Sequence, residues 1–290
     1  MTPIPARPCV FAAVLSAALL AGCQGAYFWA LNARVPVQEV QTTVYDSDHH
    51  LSLDAYRGQS AGPAPVVVFI YGGSWQNGER GYYRFVAAAF AREGIATVIP
   101  DYRKSPAVAF PAFIDDSARA IAWTRAHATE FGGDPARIYV MGHSAGAHIA
   151  ALLGTDGSYL ARVGMTPRQL SGVIGLAGPY DFLPITDPKI KKVFGAEKDW
   201  PASQPVNFVD GDEPPFLLLH GAADKTVWPR NSERLAAKLR AAGESVTLEI
   251  IPGVSHVGLV DGFVSAKYSP VLAESLRWIK ATPASSAGSR

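Results

Sequence analysis

The sequence predicts an α/β fold in which helices cover both faces of a mostly parallel, eight-stranded sheet, with a small cap or none. From residue 66 onwards, six short apolar runs are separated by helical segments or long connections, as the crossovers of a parallel sheet require. The run Val66–Tyr71 has no charged residue, which is typical of a strand buried on both faces. The 290 residues are 48% hydrophobic and 18% charged, which suits a large core in one domain or at most two.

The predicted elements follow in chain order. Residues 37–45 and 51–56 alternate apolar and polar side chains on either side of a polar turn, and they predict an antiparallel hairpin. Further strands are predicted at 66–71, 95–99, 137–141, 173–177, 216–220 and 246–251. Helices, several of them followed by glycine, are predicted at 82–92, 112–130, 145–153, 231–242 and 270–280. The longest stretch without a predicted element, residues 179–215, is either a small cap or a plain surface excursion.

The pentapeptide Gly142–Gly146 reads G-H-S-A-G and lies between a predicted strand and a predicted helix. A G-x-S-x-G sequence at such a junction is the signature of a nucleophile elbow, a sharp turn that lifts the serine hydroxyl clear of the sheet. The outer glycines avoid side-chain clashes with the neighbouring strand and helix. The sequence therefore predicts Ser144 as a catalytic nucleophile, and a chance match of common residues is the alternative.

A serine hydroxyl is a poor nucleophile at neutral pH and needs a base that an acid orients. In sheets of this kind the acid and then the histidine follow the serine, on loops at the carboxyl ends of later strands. Asp224 and His256 occupy two such loops, so we predict Asp224 as the orienting acid and His256 as the base. A turn-capping aspartate and an ordinary loop histidine are the alternatives. Three other acids precede their strand and so lie at its wrong end: Asp210, Asp212 and Glu213.

Ester cleavage also needs hydrogen-bond donors for the oxyanion that forms at the carbonyl. One donor is expected from the backbone N–H of Ala145, directly after the nucleophile, where the positive end of the helix dipole points at the site. The other comes from the loop that follows the strand at 66–71, where paired glycines allow N–H groups to turn inward. We predict Gly73 and Ser74 as these donors, with a simple glycine turn as the alternative.

The remaining composition excludes several other classes of function. The chain has 26 Lys and Arg against 25 Asp and Glu without a long basic run, which argues against a nucleic-acid partner. No histidine or cysteine group has metal-ligand spacing, so we predict no metal ion and no cofactor. Of the other histidines, His148 is expected to pack or to line the pocket, and His220 to buttress the loop that carries Asp224.

Together these residues resemble the alpha/beta-hydrolase fold, in particular bacterial carboxylesterases of the hormone-sensitive-lipase and kynurenine-formamidase groups. The similar segments are Y-G-G-S-W at 71–75, D-Y-R at 101–103, F-P at 110–111 with D-D at 115–116, F-G-G-D-P at 131–135, the elbow, Asp224 and His256. The resemblance implies the same roles for Ser144, His256 and Asp224, and for the N–H groups of Gly73, Ser74 and Ala145. It also implies that Asp101 and Arg103 form a structural pair beside the site.

Two positions depart from the family pattern. Tyr71 stands where the family usually has a histidine that braces the oxyanion loop, and we expect the tyrosine hydroxyl to substitute for it. Ala147 stands where many relatives have a second glycine after the elbow, and its one additional methyl group should be tolerated.

The N-terminal residues have the features of an export signal. Arg7 precedes the apolar run Cys9–Ala21, which is too short to span a bilayer comfortably and fits a secretory signal peptide. The sequence L-A-G-C that ends at Cys23 resembles the lipobox of bacterial lipoproteins, which implies cleavage before Cys23 and acylation of that cysteine. An ordinary signal peptide and an uncleaved anchor are the alternatives. Acylation would anchor the chain to the membrane of the cell envelope, at the outer membrane or periplasmic face in a Gram-negative host.

These observations divide the chain into four parts. They are a lipoprotein signal peptide (1–22), a tether (23–36), an alpha/beta-hydrolase catalytic domain (37–281) and a disordered tail (282–290). In the tether, the aromatic residues 27–29 either lie at the membrane surface or pack on the domain, and packing is favoured.

The expected function is hydrolysis of short-chain carboxylic esters of small molecules through a Ser-His-Asp triad and an acyl-enzyme. An arylformamidase or amidase would use the same triad, and a non-catalytic envelope binding protein on a hydrolase scaffold is the alternative from another class. The sequence does not indicate the acyl or alcohol group, or the oligomeric state. Three residues are candidates for the pocket that would equally suit the core: Trp75, His148 and Trp228.

Overall fold

The computed structural model describes residues 25–36 and 39–282. Cys23, the signal peptide interpreted before it, and residues 283–290 of the predicted tail lie outside these ranges. So do residues 37 and 38, with which the first predicted strand begins.

Within the described residues, eight strands form one sheet. They are β1 (Val40–Asp46), β2 (Leu51–Tyr56), β3 (Ala64–Ile70), β4 (Ala96–Pro100), β5 (Gly133–His143), β6 (Gly172–Leu176), β7 (Phe216–Gly221) and β8 (Val246–Ile251). The strand order is β1-β2-β4-β3-β5-β6-β7-β8. β2 pairs antiparallel with β1 and β4, and the strands from β4 to β8 pair in parallel. The predicted sheet, with its antiparallel hairpin at one edge, is therefore confirmed.

Helices cover this sheet. In the described part of the chain the α-helices are α1 (residues 25–32), α2 (Arg84–Arg92), α3 (Ala112–His127), α4 (Ala145–Thr155), α5 (Gly157–Ala161), α6 (Pro188–Phe194), α7 (Arg230–Ala241), α8 (Gly258–Asp261) and α9 (Val271–Ala281). Short 3-10 helices lie at Arg80–Tyr83, Ala128–Phe131, Pro167–Gln169, Glu197–Ser203 and Pro205–Asn207. None of the helices in residues 25–36 and 39–282 combines the length and apolar character needed to cross a membrane.

The core lies on both faces of the parallel strands. Every residue of β4, β6 and β7 is buried, which explains why these segments are apolar at almost every position. α4 is buried along its whole length, because it packs on β5 and β6 beneath the other helices. Fully burying one large apolar side chain contributes about 1.5–3 kcal/mol to the free energy of unfolding. The core on both faces of the sheet therefore holds the carboxyl ends of the strands in fixed positions.

The segments 112–131 and 179–215 are among those that differ from the sequence prediction. The helix predicted to run to residue 130 ends at His127, because the chain tightens into the 3-10 helix Ala128–Phe131 before Gly132 turns it at a φ of 77°. The stretch 179–215 is not irregular throughout, since it contains α6 and two 3-10 helices. Asp187 caps α6 by accepting a hydrogen bond from the backbone N–H of Lys189, at 2.6 Å.

α1 packs on the domain. Phe28 and Leu31 are buried against the core, Tyr27 is half-buried and Trp29 is exposed. Of the aromatic residues in the predicted tether, Phe28 and part of Tyr27 therefore pack on the domain, whereas Trp29 faces solvent.

Candidate active site

Ser144 lies at the turn between β5 and α4 with a φ of 55° and a ψ of −121°, a strained conformation for a residue with a side chain. Both elbow glycines are needed for this turn. A Cβ on Gly142 would lie 2.1 Å from the carbonyl oxygen of Gly146, and a Cβ on Gly146 would lie 1.9 Å from that of Ile70. The backbone N–H of Ser144 donates to the carbonyl of Leu176 at 2.9 Å, which fixes the turn to β6.

His256 and Asp224 contact each other across two neighbouring loops, after β8 and β7. Nδ1 of His256 lies 2.7 Å from Oδ2 of Asp224. The other oxygen, Oδ1, accepts hydrogen bonds from the backbone N–H groups of Thr226 and Val227, at 2.8 and 2.9 Å. Because a carboxylate only accepts, the proton of His256 lies on Nδ1, which leaves Nε2 as an acceptor.

A second histidine also contacts Asp224. Nε2 of His220 lies 2.8 Å from the carbonyl oxygen of Val227 and 3.3 Å from Oδ2 of Asp224. Its Nδ1 lies 2.7 Å from the hydroxyl of Ser232 on α7. The side chains of His220 and Asp224 are fully buried, so His220 holds the carboxylate and its loop against the domain.

The surroundings of Asp224 keep it ionised. Burial alone would raise the pKa of this carboxyl group, but hydrogen bonds from His220 and His256, and the positive charge that His256 carries when protonated, outweigh that effect. The pKa of Asp224 therefore lies well below its ordinary value. A carboxylate that stays charged near an imidazole stabilises the imidazolium form, which a general base must reach.

A cavity of about 250 Å³ opens at Ser144 and His256. The loop after β3 contributes Gly72, Gly73, Ser74 and Gly78 to its wall. The remaining lining residues are Phe28, Tyr82, Tyr83, His143, Thr226, Val257 and Val260. Of the residues predicted from the sequence, the structure thus brings Ser144, His256, Gly73 and Ser74 to one cavity. Asp224 lies behind His256, and Ala145 follows Ser144 as the first residue of α4.

The three pocket candidates named from the sequence lie elsewhere. Trp75 and His148 are buried side by side, and Trp228 is exposed, so none of them lines this cavity. Residues 179–215, all of which the structure describes, also contribute nothing to the lining. Phe28, Tyr82 and Val260 do line the cavity, although the sequence carries no signal for them, because helix and loop packing alone brings them there.

The loop after β3 has an unusual backbone. Gly73, Ser74 and Trp75 have φ values of 132°, 54° and 58°, and the carbonyl of Gly73 accepts the N–H groups of Gln76 and Asn77. Among the residues that the structure describes, the N–H groups of Gly73 and Ser74 have no hydrogen-bond acceptor. Such unpaired donors in a cavity wall are suited to bind an oxyanion.

Tyr71 fixes the start of this loop. Its hydroxyl donates to Oδ1 of Asp101 and accepts from Nζ of Lys104, both at 3.0 Å. Its carbonyl accepts the hydroxyl of Tyr102 at 2.9 Å, and the two rings stack with their centres 4.7 Å apart. Burial raises the pKa of Tyr71 well above its ordinary value, so the hydroxyl stays protonated as a donor. Tyr71 thus makes contacts that hold the start of this loop, as expected for a residue that stands where the family has a bracing histidine.

Asp101 and Arg103 do not pair with each other. Asp101 binds Arg80, and Arg103 binds Asp116 with its Nη2 2.7 Å from Oδ1. The resemblance implied that these two residues are structural and shape the site wall. Each forms an ion pair that ties the loop after β4 to another element, and neither lines the cavity.

Trp75 and His148 join this loop to the elbow helix. The indole N–H of Trp75 donates to Nδ1 of His148 at 3.2 Å, and Nε2 of His148 lies 2.7 Å from the carbonyl of Ser203. Because an indole only donates and a carbonyl only accepts, His148 is neutral with its proton on Nε2. Burial lowers the pKa of His148 to about 4, in agreement with this arrangement.

His143, the variable residue of the elbow, contacts the histidine loop. Its Nε2 lies 3.1 Å from the carbonyl oxygen of His256, and the two rings are 4.8 Å apart. Burial, reinforced by the neighbouring His256, lowers the pKa of His143 to about 3. This contact could not be predicted from the sequence, because it depends on how the loop after β8 folds over the elbow.

Within the described ranges, one group of acidic and histidine side chains lies close enough together to share a metal ion: Asp46, His49 and Asp116. Arg119 donates to carboxylate oxygens of both Asp46 and Asp116, so these oxygens already have a positive partner. The group also lies outside the cavity lining. Its geometry is that of an ion-pair cluster.

Known proteins share this sequence and fold. The BD-FAE family model matches residues 53–239, more than half of the chain. The chain is similar to esterase LipC of Mycobacterium tuberculosis, with 31% identity over 76% of this chain and 60% of that protein. It is also similar to isoprenylcysteine alpha-carbonyl methylesterase ICME of Arabidopsis thaliana, with 30% identity over 80% of this chain and 58% of that protein. The chain thus spans about three-fifths of the length of these curated relatives.

Solved structures agree. Thermogutta terrifontis esterase 2 phosphonylated by sarin matches with a TM-score of 0.72 and 26% identity, over 86% of this chain and 97% of that one. A monoclinic form of a Pyrobaculum calidifontis esterase matches with a TM-score of 0.76 over 91% of this chain and 92% of that one, and at 19% identity this likeness concerns the fold alone. The chain therefore has the alpha/beta-hydrolase fold and belongs to the BD-FAE family.

Proposed function

We propose that the chain is a serine esterase that hydrolyses short-chain carboxylic esters of small molecules. The observation that carries this proposal is the cavity into which both Ser144 and His256 open, with Asp224 bonded behind His256. The names of the curated relatives, which are esterases and a methylesterase, support the same class of reaction.

In the proposed mechanism, Oγ of Ser144 attacks the carbonyl carbon of the ester while Nε2 of His256 accepts the hydroxyl proton. Asp224 holds the imidazole and stabilises the imidazolium that forms. The carbon–oxygen bond to the alcohol then breaks, His256 returns the proton to the leaving alcohol, and an acyl-enzyme remains. Water, activated by the same histidine, attacks the acyl group and releases the acid.

The oxyanion of each tetrahedral intermediate would accept hydrogen bonds from the N–H groups of Gly73, Ser74 and Ala145. Ala145 begins α4, so the helix dipole adds positive potential at this point. The small cavity, with a volume of about 250 Å³, favours esters with short chains.

The test is hydrolysis of nitrophenyl esters of graded acyl length by the chain and by a Ser144→Ala variant. We expect saturable turnover of the short esters, and a loss of about 10³-fold or more in kcat for the variant. Equal rates for the two proteins would overturn the assignment of Ser144. No turnover of any ester would favour a binding protein instead.

We also propose that Cys23 carries the lipid that anchors the chain to the envelope membrane. The support is the apolar run followed by the lipobox-like sequence, since residues 1–24 lie outside the described structure. Metabolic labelling with palmitate tests this in a bacterial host. The wild-type chain should be labelled and a Cys23→Ser variant should not, whereas labelling of the variant would refute the proposal.

A further inference from the structure

α1 lies before the segment that the family model matches, yet it reaches the candidate active site. The family match begins at residue 53, whereas α1 covers residues 25–32. Phe28 on this helix is 8% exposed and lines the cavity, while its neighbour Trp29 is 72% exposed. One side chain of a segment outside the matched region therefore forms part of the cavity wall.

The ring of Phe28 is held between aromatic neighbours. It stacks on Tyr82 with ring centres 5.2 Å apart, and its centre lies 4.8 Å from that of Tyr83. Both tyrosines also line the cavity. Two aliphatic side chains also line the cavity: Val257, directly after the proposed base, and Val260 on α8. Phe28 thus belongs to a group of aromatic side chains in the cavity wall.

Three polar contacts fix α1 in this place. The amide of Asn32 donates to the carbonyl of Gly81 and accepts the backbone N–H of Phe85, both at 3.0 Å. The second bond satisfies an otherwise unpaired N–H in the first turn of α2. At the other end, the hydroxyl of Tyr27 donates to the carboxylate of Asp261 on α8. The helix therefore presents Phe28 in one position.

We infer that Phe28 is a specificity-determining residue that limits the length of the substrate chain entering the cavity. The inference rests on the proposed esterase function and adds to it a residue that sets the substrate size. A ring fixed in the wall excludes additional methylene groups by contact. Removing the ring opens space in which each further methylene buried by the substrate raises kcat/KM about fourfold.

The test compares two ester series with the full chain and a Phe28→Ala variant. One series varies the acyl chain from acetate to octanoate with a nitrophenyl leaving group, and the other varies the alcohol chain of acetate esters. In one of the two series, the ratio of kcat/KM for the six-carbon to the two-carbon chain should rise about tenfold or more in the variant. The series that responds tells which end of the ester Phe28 faces. Ratios within twofold of wild type in both series would overturn the inference.

Two further variants keep the test independent of folding, because a ratio of rates does not depend on the amount of active protein. Phe28→Leu should shift the ratio in the same direction by less, and Phe28→Trp should shift it towards shorter chains. Trp29→Ala, on the exposed side of the same helix, is the matched control and should leave both ratios unchanged. Absence of any turnover that depends on Ser144 would overturn the esterase proposal and the inference together, whereas Ser144-dependent turnover with unmoved ratios would overturn the inference alone.

Discussion

Asp224 is the residue on which the charge balance of the proposed triad depends. Both oxygens are hydrogen-bonded inside the protein, and the pKa of the carboxyl group is lowered despite burial. The carboxylate therefore stays charged at pH values at which an ordinary aspartic acid begins to take up a proton. His256 accordingly faces a full charge rather than a neutral acid.

We predict that Asp224→Asn lowers kcat by about 10⁴-fold, because the amide favours the wrong tautomer of His256 and cannot stabilise the imidazolium. Steady-state kinetics with a short nitrophenyl ester measures this. Asp212→Asn is the matched control, since Asp212 lies on the surface in an exposed ion pair with Arg168 and should change neither rate nor stability. A variant at Asp224 that keeps wild-type kcat would remove this residue from the triad.

For single residues, the sequence predicts only those roles that follow from a motif or from the order of the strands. Ser144 follows from the G-x-S-x-G pattern, and Asp224 and His256 follow from their places after two late strands. The contacts of His220, His143 and His148 cannot be predicted from a motif or from the strand order. Each of them depends on which loop folds against which helix, and no local pattern specifies that.

The loop after β3 is the element that would bind the oxyanion in the proposed mechanism. It has positive φ values at Gly73, Ser74 and Trp75, only the first of which is a glycine, and the N–H groups of Gly73 and Ser74 have no acceptor among the described residues. Tyr71, Asp101 and the Trp75–His148 bond hold that backbone in place. The loop's position after a buried strand was predictable from the paired glycines, but the bracing contacts come from elements distant in sequence.

We predict that Gly73→Ala lowers kcat by about 10²-fold or more. A Cβ at this position would lie 2.2 Å from the carbonyl oxygen of Asn77, so the loop must shift and its N–H groups move away from the oxyanion. Gly81→Ala, eight positions later, is the control, because a Cβ there meets no atom within 4 Å. Wild-type kcat in Gly73→Ala would contradict the role proposed for this loop.

The whole molecule has a built-in sensitivity to acid. His148 is buried and neutral, and its pKa of about 4 in the folded chain lies below the value of about 6.5 for an unfolded histidine. Between these two values the unfolded chain binds the additional proton, so stability rises with pH there. The contribution of His148 is complete above about pH 6.5 and is lost as the pH falls towards 4.

We predict that the free energy of unfolding falls by about 2 kcal/mol between pH 7 and pH 5 through His148, because the unfolded chain takes up a proton there that the folded chain does not. Urea unfolding at both pH values measures the loss for the wild type and for His148→Gln, in which it should be about 2 kcal/mol smaller. An unchanged pH dependence in His148→Gln would show that this residue does not titrate on unfolding.

At the scale of the fold, the sequence predicts the sheet well because burial on both faces leaves a continuous apolar pattern in each parallel strand. It predicts the stretch 179–215 poorly, since α6 and the 3-10 helices there are short and contain prolines. The position of α1 over the cavity was also unpredictable. That position depends on contacts with Gly81, Phe85 and Asp261, which lie far along the chain.

The central claim is that Ser144 is the nucleophile of a serine esterase. The most direct measurement is the mass of the intact chain after reaction with a nitrophenyl phosphonate, followed by peptide mapping of the adduct. We expect one phosphonyl group per chain on the peptide that contains Ser144, with loss of esterase activity in proportion, and no adduct in Ser144→Ala. An adduct on another residue, or full ester hydrolysis by the chain that carries the adduct, would contradict the claim.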